Sequence, residues 1–232
     1  MRGNWITGPA TLAAIVTLAN AAKPVLVDDT AYLTYARHIA ACPFDPYGFE
    51  MFWYATPQPA MHVLCPPVVP YWLAAGIALF GEHPAVLKLW LYPFVWLFAW
   101  SLHDVLRRFA HGTERSVLPL VVLSPAILPM VNVMLDVPAV ALGLAAIVLM
   151  CRATDQDKDW LAIAAGVVAA LAMQTKYTAL LVPVVIGWYG LTHRRLRLAG
   201  MAVATAVVVF STGVGLASPT PRLCLIFVTF ST

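Results

Sequence analysis

The chain has 232 residues, of which 61% are hydrophobic and only 11% charged, with a mean hydropathy of +0.81. Soluble domains carry about a quarter charged residues, and a chain of this size has too little interior to hide so much apolar surface, so the excess must face lipid. A formal charge of +3, with no basic cluster interleaved with aromatics, excludes a nucleic-acid partner.

In chain order, apolar runs able to span a bilayer fall at 6–22, 86–102, 116–134, 136–151, 160–175, 177–192 and 199–217. The first has Arg2 before it and the small triplet Ala19-Asn20-Ala21 after it, the pattern of a signal peptide. It is read as a retained first span because further spans follow. The run Val68–Gly81, preceded by Pro66-Pro67, has 14 residues where a span needs about 20, so it is expected to be re-entrant or interfacial. The 33 nearly uncharged residues 160–192 would make one helix about 50 Å long against a hydrocarbon core of about 30 Å. Two short spans meeting at Gln174-Thr175-Lys176 are expected instead.

The distribution of basic residues tests this arrangement. With the N-terminus inside, the inner loops hold Arg2, Arg107, Arg108, Arg115, Arg152, Lys158, Arg194, Arg195 and Arg197, nine in all, while the outer side holds four: Lys23, Arg37, Lys88 and Lys176. Counting 68–81 as a span inverts most of this bias. The expected fold is therefore an all-α polytopic membrane helix bundle of about seven spans, with an outer loop over 23–85 carrying amphipathic helices. Residues 1–217 form the membrane module. The tail 218–232, whose apolar run Leu223–Phe230 is too short to span, is expected to be a truncated end.

Asp28, Asp29, Asp136 and Lys176, from three distant parts of the chain, converge on the outer face. Charges near the hydrocarbon boundary are costly and usually functional. Asp28-Asp29-Thr30 opens a short helix whose apolar face is Tyr32, Tyr35, Ala36, Ile39 and Ala40. Carboxylates at a helix start serve as caps, and the same ionised groups suit a divalent cation or a proton to be accepted. Residues 42–72 hold 8 of the 26 aromatics and seven prolines, a headgroup-level belt or a platform for a sugar or lipid chain. Asp45, Glu50 and His62 are the polar candidates there. Lys176 either snorkels or meets an anionic phosphate. The four cysteines show no metal-ligand spacing; Cys42 and Cys65 flank the outer loop and read as free thiols, with a disulfide between them the alternative.

Four stretches in order, VDDTAYLTYARHIA (27–40), CPPVVPYWLAAGIALFG (65–81), MLDVPAVALGLAAIVL (134–149) and LAMQTKYTALLVP (171–183), resemble the GT-C membrane glycosyltransferases of the dolichyl-phosphate-mannose-protein mannosyltransferase type, which include bacterial aminoarabinose transferases. The resemblance implies transfer of a sugar from a polyprenyl-phosphate donor to a lipid, glycan or protein at the extracytoplasmic face of a bacterial cytoplasmic membrane. Membrane lipids would be the other partners. By that likeness Asp28 or Asp29 is the catalytic base or the metal-side acid, a divalent metal ion is the one cofactor implied, Lys176 holds the donor phosphate and Asp136 lines the same cavity. Tyr32 and Glu50 complete the substrate-binding candidates. Before Pro66-Pro67, where relatives often carry a polar residue, this chain has Leu64-Cys65. A lipid transporter and a non-catalytic membrane subunit are the readings from other classes; a transporter should show charges near the bilayer midplane.

Overall fold

The structure, a computed structural model, describes residues 8–216. Arg2, residues 6 and 7 of the first apolar run, and the tail 218–232 with Arg222, Cys224 and Leu223–Phe230 lie outside the described residues.

Helix α1 (Pro9–Ala21) starts with proline at its first position, where the missing N–H costs nothing. After a short link, α2 (Val27–Ala41) begins where Asp29 Oδ2 accepts the Leu26 N–H at 2.8 Å, and it stops before Pro43. The loop beyond forms a small antiparallel hairpin, β1 (Glu50–Met51) with β2 (Gln58–Pro59), and one turn of helix, α3 (Ala60–Val63). Helix α4 (Val68–Phe80) follows the Pro-Pro pair, and α5 (Pro84–Trp90) leads into α6 (Tyr92–Phe109). The break at Leu91 has a cause: Pro93 cannot donate to the helical ladder and its ring crowds the preceding turn. Then come α7 (Glu114–Val122), α8 (Asp136–Gln156), α9 (Asp159–Met173), α10 (Leu181–Thr192) and α11 (Leu196–Leu216).

The chain is an all-α membrane helix bundle. Among the described residues three helices are long and apolar enough to cross a membrane: the α5–α6 run Pro84–Phe109, α8, and α11 over Leu196–Gly215. The other apolar helices, Pro9–Ala21, Val68–Phe80, Asp159–Met173 and Tyr177–Thr192, are shorter. The 33-residue run does split at 174–176: Thr175 Oγ1 turns back to Leu171 O at 2.8 Å, Lys176 is extended, and a 3₁₀ turn Tyr177–Leu180 starts the return. The expected span 116–134 does not form as a continuous helix. It is a nine-residue helix α7, which accommodates Pro119, then turns and a 3₁₀ segment Leu128–Met130, because Pro125 and Pro129 remove backbone donors beyond α7.

Helices α8, α9 and α11 pack through alanines: Ala162, Ala165, Ala169, Ala202 and Ala206 are buried side by side. At Gly166 an added Cβ would lie 2.3 Å from the Ala202 carbonyl oxygen, so α9 and α11 touch backbone to backbone. Helix α4 packs on α2 and α5 instead. Its Trp72 stacks on Trp90 at 4.8 Å, and each indole N–H donates to the other residue's carbonyl, at 3.0 and 2.8 Å.

The bundle has two chemically different ends. Asp104, Arg107, Arg108, Arg152, Asp155, Asp157, Asp159, Arg195 and Arg197 gather at one, where Arg108–Asp155, Arg152–Asp104, Arg195–Asp157 and Arg197–Asp159 pair across neighbouring helices. The starts of α2 and α8 and the α9–α10 turn meet at the other. Van der Waals packing of α2 there is anchored by fully buried Tyr35, whose ring lies 5.6 Å from Tyr47 and 5.8 Å from Phe49. That contact holds the aromatic loop onto α2.

Candidate active site at the carboxylate end

The two adjacent aspartates separate completely. A helix turns about 100° per residue, so with Asp29 facing inward Asp28 must face out. Asp28 is exposed and lines an open cavity of about 560 Å³ together with Thr30, Thr34, Glu50, Phe52 and Trp53. Asp29 is fully buried. It holds the Leu26 N–H, faces the buried Lys88 ammonium and is approached by the Val133 amide, while its Oδ1 lacks a hydrogen bond of good geometry. Burial pushes the Asp29 carboxyl above the usual carboxylate range, against the smaller opposing effects of the Leu26 and Val133 amides and the Lys88 charge. Lys88 itself donates to the carbonyls of Lys23 and Pro24, at 2.5 and 3.3 Å, tying α5 to the α1–α2 link.

Glu50 arrives from the hairpin. The β1–β2 pairing sets Glu50 opposite Pro59 and places Phe52, Trp53 and Tyr54 at the tip, all exposed. His62 stands exposed on α3 away from the carboxylates lining the cavity, and Asp45 is nearly buried beneath the loop, its backbone oxygen bonded to His38 Nε2 at 2.7 Å.

Asp136 and Lys176 meet. Lys176 Nζ donates to Asp136 Oδ1 at 2.5 Å, with both side chains about a quarter exposed (29% and 24%). The first turn of α8 and the extended residue after α9 thus face each other, because α8 and α9 run antiparallel and return the chain to the same end. Tyr32, one turn after Asp28 on α2, lies within electrostatic reach of Asp28, Asp136 and Cys65, and burial first, then these neighbours, raises its hydroxyl well above the ordinary phenol range, so it stays a neutral donor. Cys65 is a free thiol, raised by burial although Lys176 pulls it down. The Cys42–Cys65 disulfide is therefore not made. Cys42, by contrast, is disulfide-bonded, so the free-thiol reading holds for Cys65 alone. Beside Lys176, Tyr47, Pro66, Pro67 and Tyr177 line a small apolar cavity of about 80 Å³.

Two features had no sequence signal. The hairpin that delivers Glu50 has strands of two residues, too short for any periodicity, and the charge that Asp29 faces is that of Lys88, 59 positions away. Among the described residues no group of three or more His, Cys, Asp or Glu side chains is placed to hold a metal.

Searches of curated proteins and of solved structures returned no match. A family model, dolichyl-phosphate-mannose-protein mannosyltransferase, matches residues 65–215, which include Asp136 and Lys176 and begin after Asp28, Tyr32 and Glu50. With more than half of its length matched, on an all-α membrane bundle, the chain belongs to the dolichyl-phosphate-mannose-protein mannosyltransferase family of GT-C membrane glycosyltransferases.

Proposed function

We propose that the chain transfers a sugar from a polyprenyl-phosphate donor to an acceptor hydroxyl, at the extracytoplasmic face of a bacterial cytoplasmic membrane, with the carboxylate end facing outward. The observation that carries this reading is the presence at one end of an exposed carboxylate on a cavity, Asp28, and a lysine, Lys176, whose partner among the described residues is Asp136, which a phosphate can replace. The surplus of arginines at the opposite end supports the orientation.

The chemistry assigns each group one task. The acceptor oxygen attacks the anomeric carbon, the bond from that carbon to the phosphate oxygen breaks, and the phosphate leaves with the electron pair. Asp28 takes the acceptor's proton as general base. Lys176 meets the negative charge growing on the phosphate, exchanging Asp136 for the substrate. Tyr32, kept neutral, donates a hydrogen bond between the two. The apolar cavity at Pro66, Pro67 and Tyr177 suits the first isoprene units beside that phosphate. Among the described residues no third His, Cys, Asp or Glu joins Asp28 and Glu50, so this cavity does not fit a divalent cation and no step is assigned to one.

The test is a transfer assay with a polyprenyl-phosphate sugar and protein in lipid nanodiscs. Asp28→Asn should lower the rate by about 10²- to 10⁴-fold, the usual contribution of a general base, while folding and insertion stay normal. An Asp28→Asn protein as active as the parent overturns the assignment.

A further inference from the structure

The cavity beside Asp28 has an unusual chemical signature. Its lining side chains with polar atoms are Asp28, Glu50, Thr30, Thr34 and Trp53. Both threonine hydroxyls have spent their protons on the backbone: Thr30 Oγ1 donates to Val27 O at 2.5 Å and Thr34 Oγ1 to Thr30 O at 2.9 Å. What they present to the cavity is therefore lone pairs. Two carboxylates and two such hydroxyl oxygens make a wall of acceptors, with no lysine, arginine or histidine among the lining residues. Phe52 and Trp53, two exposed aromatic rings, line the same cavity.

A ligand for this cavity must bring many donors and an apolar face, and must carry no negative charge. A phosphate or carboxylate has only acceptors and would meet like charge. An extended peptide adds to a sheet edge through its backbone, and the edge here is two residues long. A pyranose ring has what the cavity lacks: several hydroxyl donors around its rim and a C–H face that stacks on an aromatic ring. We infer that this cavity is the acceptor subsite and that it takes a sugar without negative charge, so that the acceptor is the hydroxyl of a glycan free of anionic groups and not a phosphorylated lipid or a peptide. This rests on the transferase reading for the word acceptor; the sugar-binding claim stands on the cavity itself.

Saturation-transfer NMR on the full chain in nanodiscs, free of sugar detergents and with EDTA present, tests it with three probes: a methyl hexoside, the same sugar 6-phosphate, and a serine-containing peptide. The expected result is saturation of the ring C–H protons of the neutral sugar, an affinity about 3- to 10-fold weaker in Trp53→Ala and in Phe52→Ala, and sugar-phosphate binding about 10-fold weaker or absent. Glu50→Gln, which removes one charge and adds a donor, should narrow the gap between the two sugars. Sugar-phosphate bound as tightly as the neutral sugar, peptide bound in place of sugar, or no change in either ring variant overturns the inference. Asp28→Asn separates the two readings. Sugar binding retained without any transfer activity in the parent counts against the transferase assignment alone. Transfer intact, with the acceptor KM unmoved in both ring variants, counts against the sugar subsite alone.

Discussion

Lys176 and Asp136 neutralise each other at 2.5 Å, so a donor phosphate must compete with a carboxylate already in place. For a partly exposed pair that competition is weak, about 1 kcal/mol or less. A phosphate, by contrast, gains a charge-assisted bond worth about 1.5–3 kcal/mol. Lys176→Gln should therefore weaken apparent donor affinity about 10- to 150-fold, whereas Asp136→Asn, which releases the ammonium, should leave it unchanged or tighter. Donor titration distinguishes this from snorkelling, for which Lys176→Gln leaves affinity unaltered. Asp29 behaves differently because it is buried. Its folded-state carboxyl is raised, so the stability it contributes is present below the unfolded value of about 3.9 and is lost as pH rises through the raised value. Asp29→Asn keeps an acceptor for the Leu26 amide and removes the titration. Thermal unfolding followed against pH should show a flatter profile in that variant, with transfer activity retained; an unchanged profile means that Asp29 does not titrate there.

At the scale of elements, the return of the chain to one end depends on close helix contact more than on side-chain volume. Between helices surrounded by lipid, van der Waals contact of small residues is the main attraction, and Gly166 against Ala202 is where it is tightest. Gly166→Val has no room at 2.3 Å and must push α11 outward, for a loss of about 1–3 kcal/mol. Gln174 spans the same interface, with Nε2 donating to Val209 O at 2.9 Å. Displacing α11 should thus disturb the turn that presents Lys176. A lower unfolding temperature accompanied by weaker donor binding is the expected outcome; Gly187→Ala, at a position with open space around it, is the control.

For the whole molecule, the two ends predict an orientation. His111 and Lys158 are exposed at the arginine end, and Thr56 is exposed on the hairpin at the other. With the arginines inside, cysteines at 111 and 158 should resist an impermeant thiol reagent in intact cells, over the background of the native cysteines, while one at 56 labels. Labelling at 111 from outside inverts the topology and removes Asp28 from the extracytoplasmic face. The gathering of charges at the ends also argues against a transporter, whose functional charges lie near the midplane.

Membrane character, the split at Gln174-Thr175-Lys176, the helix behind Asp28-Asp29 and the meeting of Asp136 with Lys176 at one end were all legible in the sequence. Each depends on a quantity that accumulates along the chain: mean hydropathy, run length against bilayer thickness, or parity of crossings. In 116–134 the apolar content suggests a span, while Pro125 and Pro129 mark where the helix stops. What only the tertiary structure decided is which carboxylate is available. Asp28 and Asp29 are chemically equal neighbours in the sequence. The side of α2 that faces Lys88 and Val133 is set by packing of Tyr35, Ala36 and Ile39 against α4 and the loop, contacts made between residues far apart in the chain. The same holds for Glu50, which reaches the cavity because a two-residue strand pair folds the aromatic loop back over α2. Local pattern carries no record of such pairings, whose free energy comes from long-range burial.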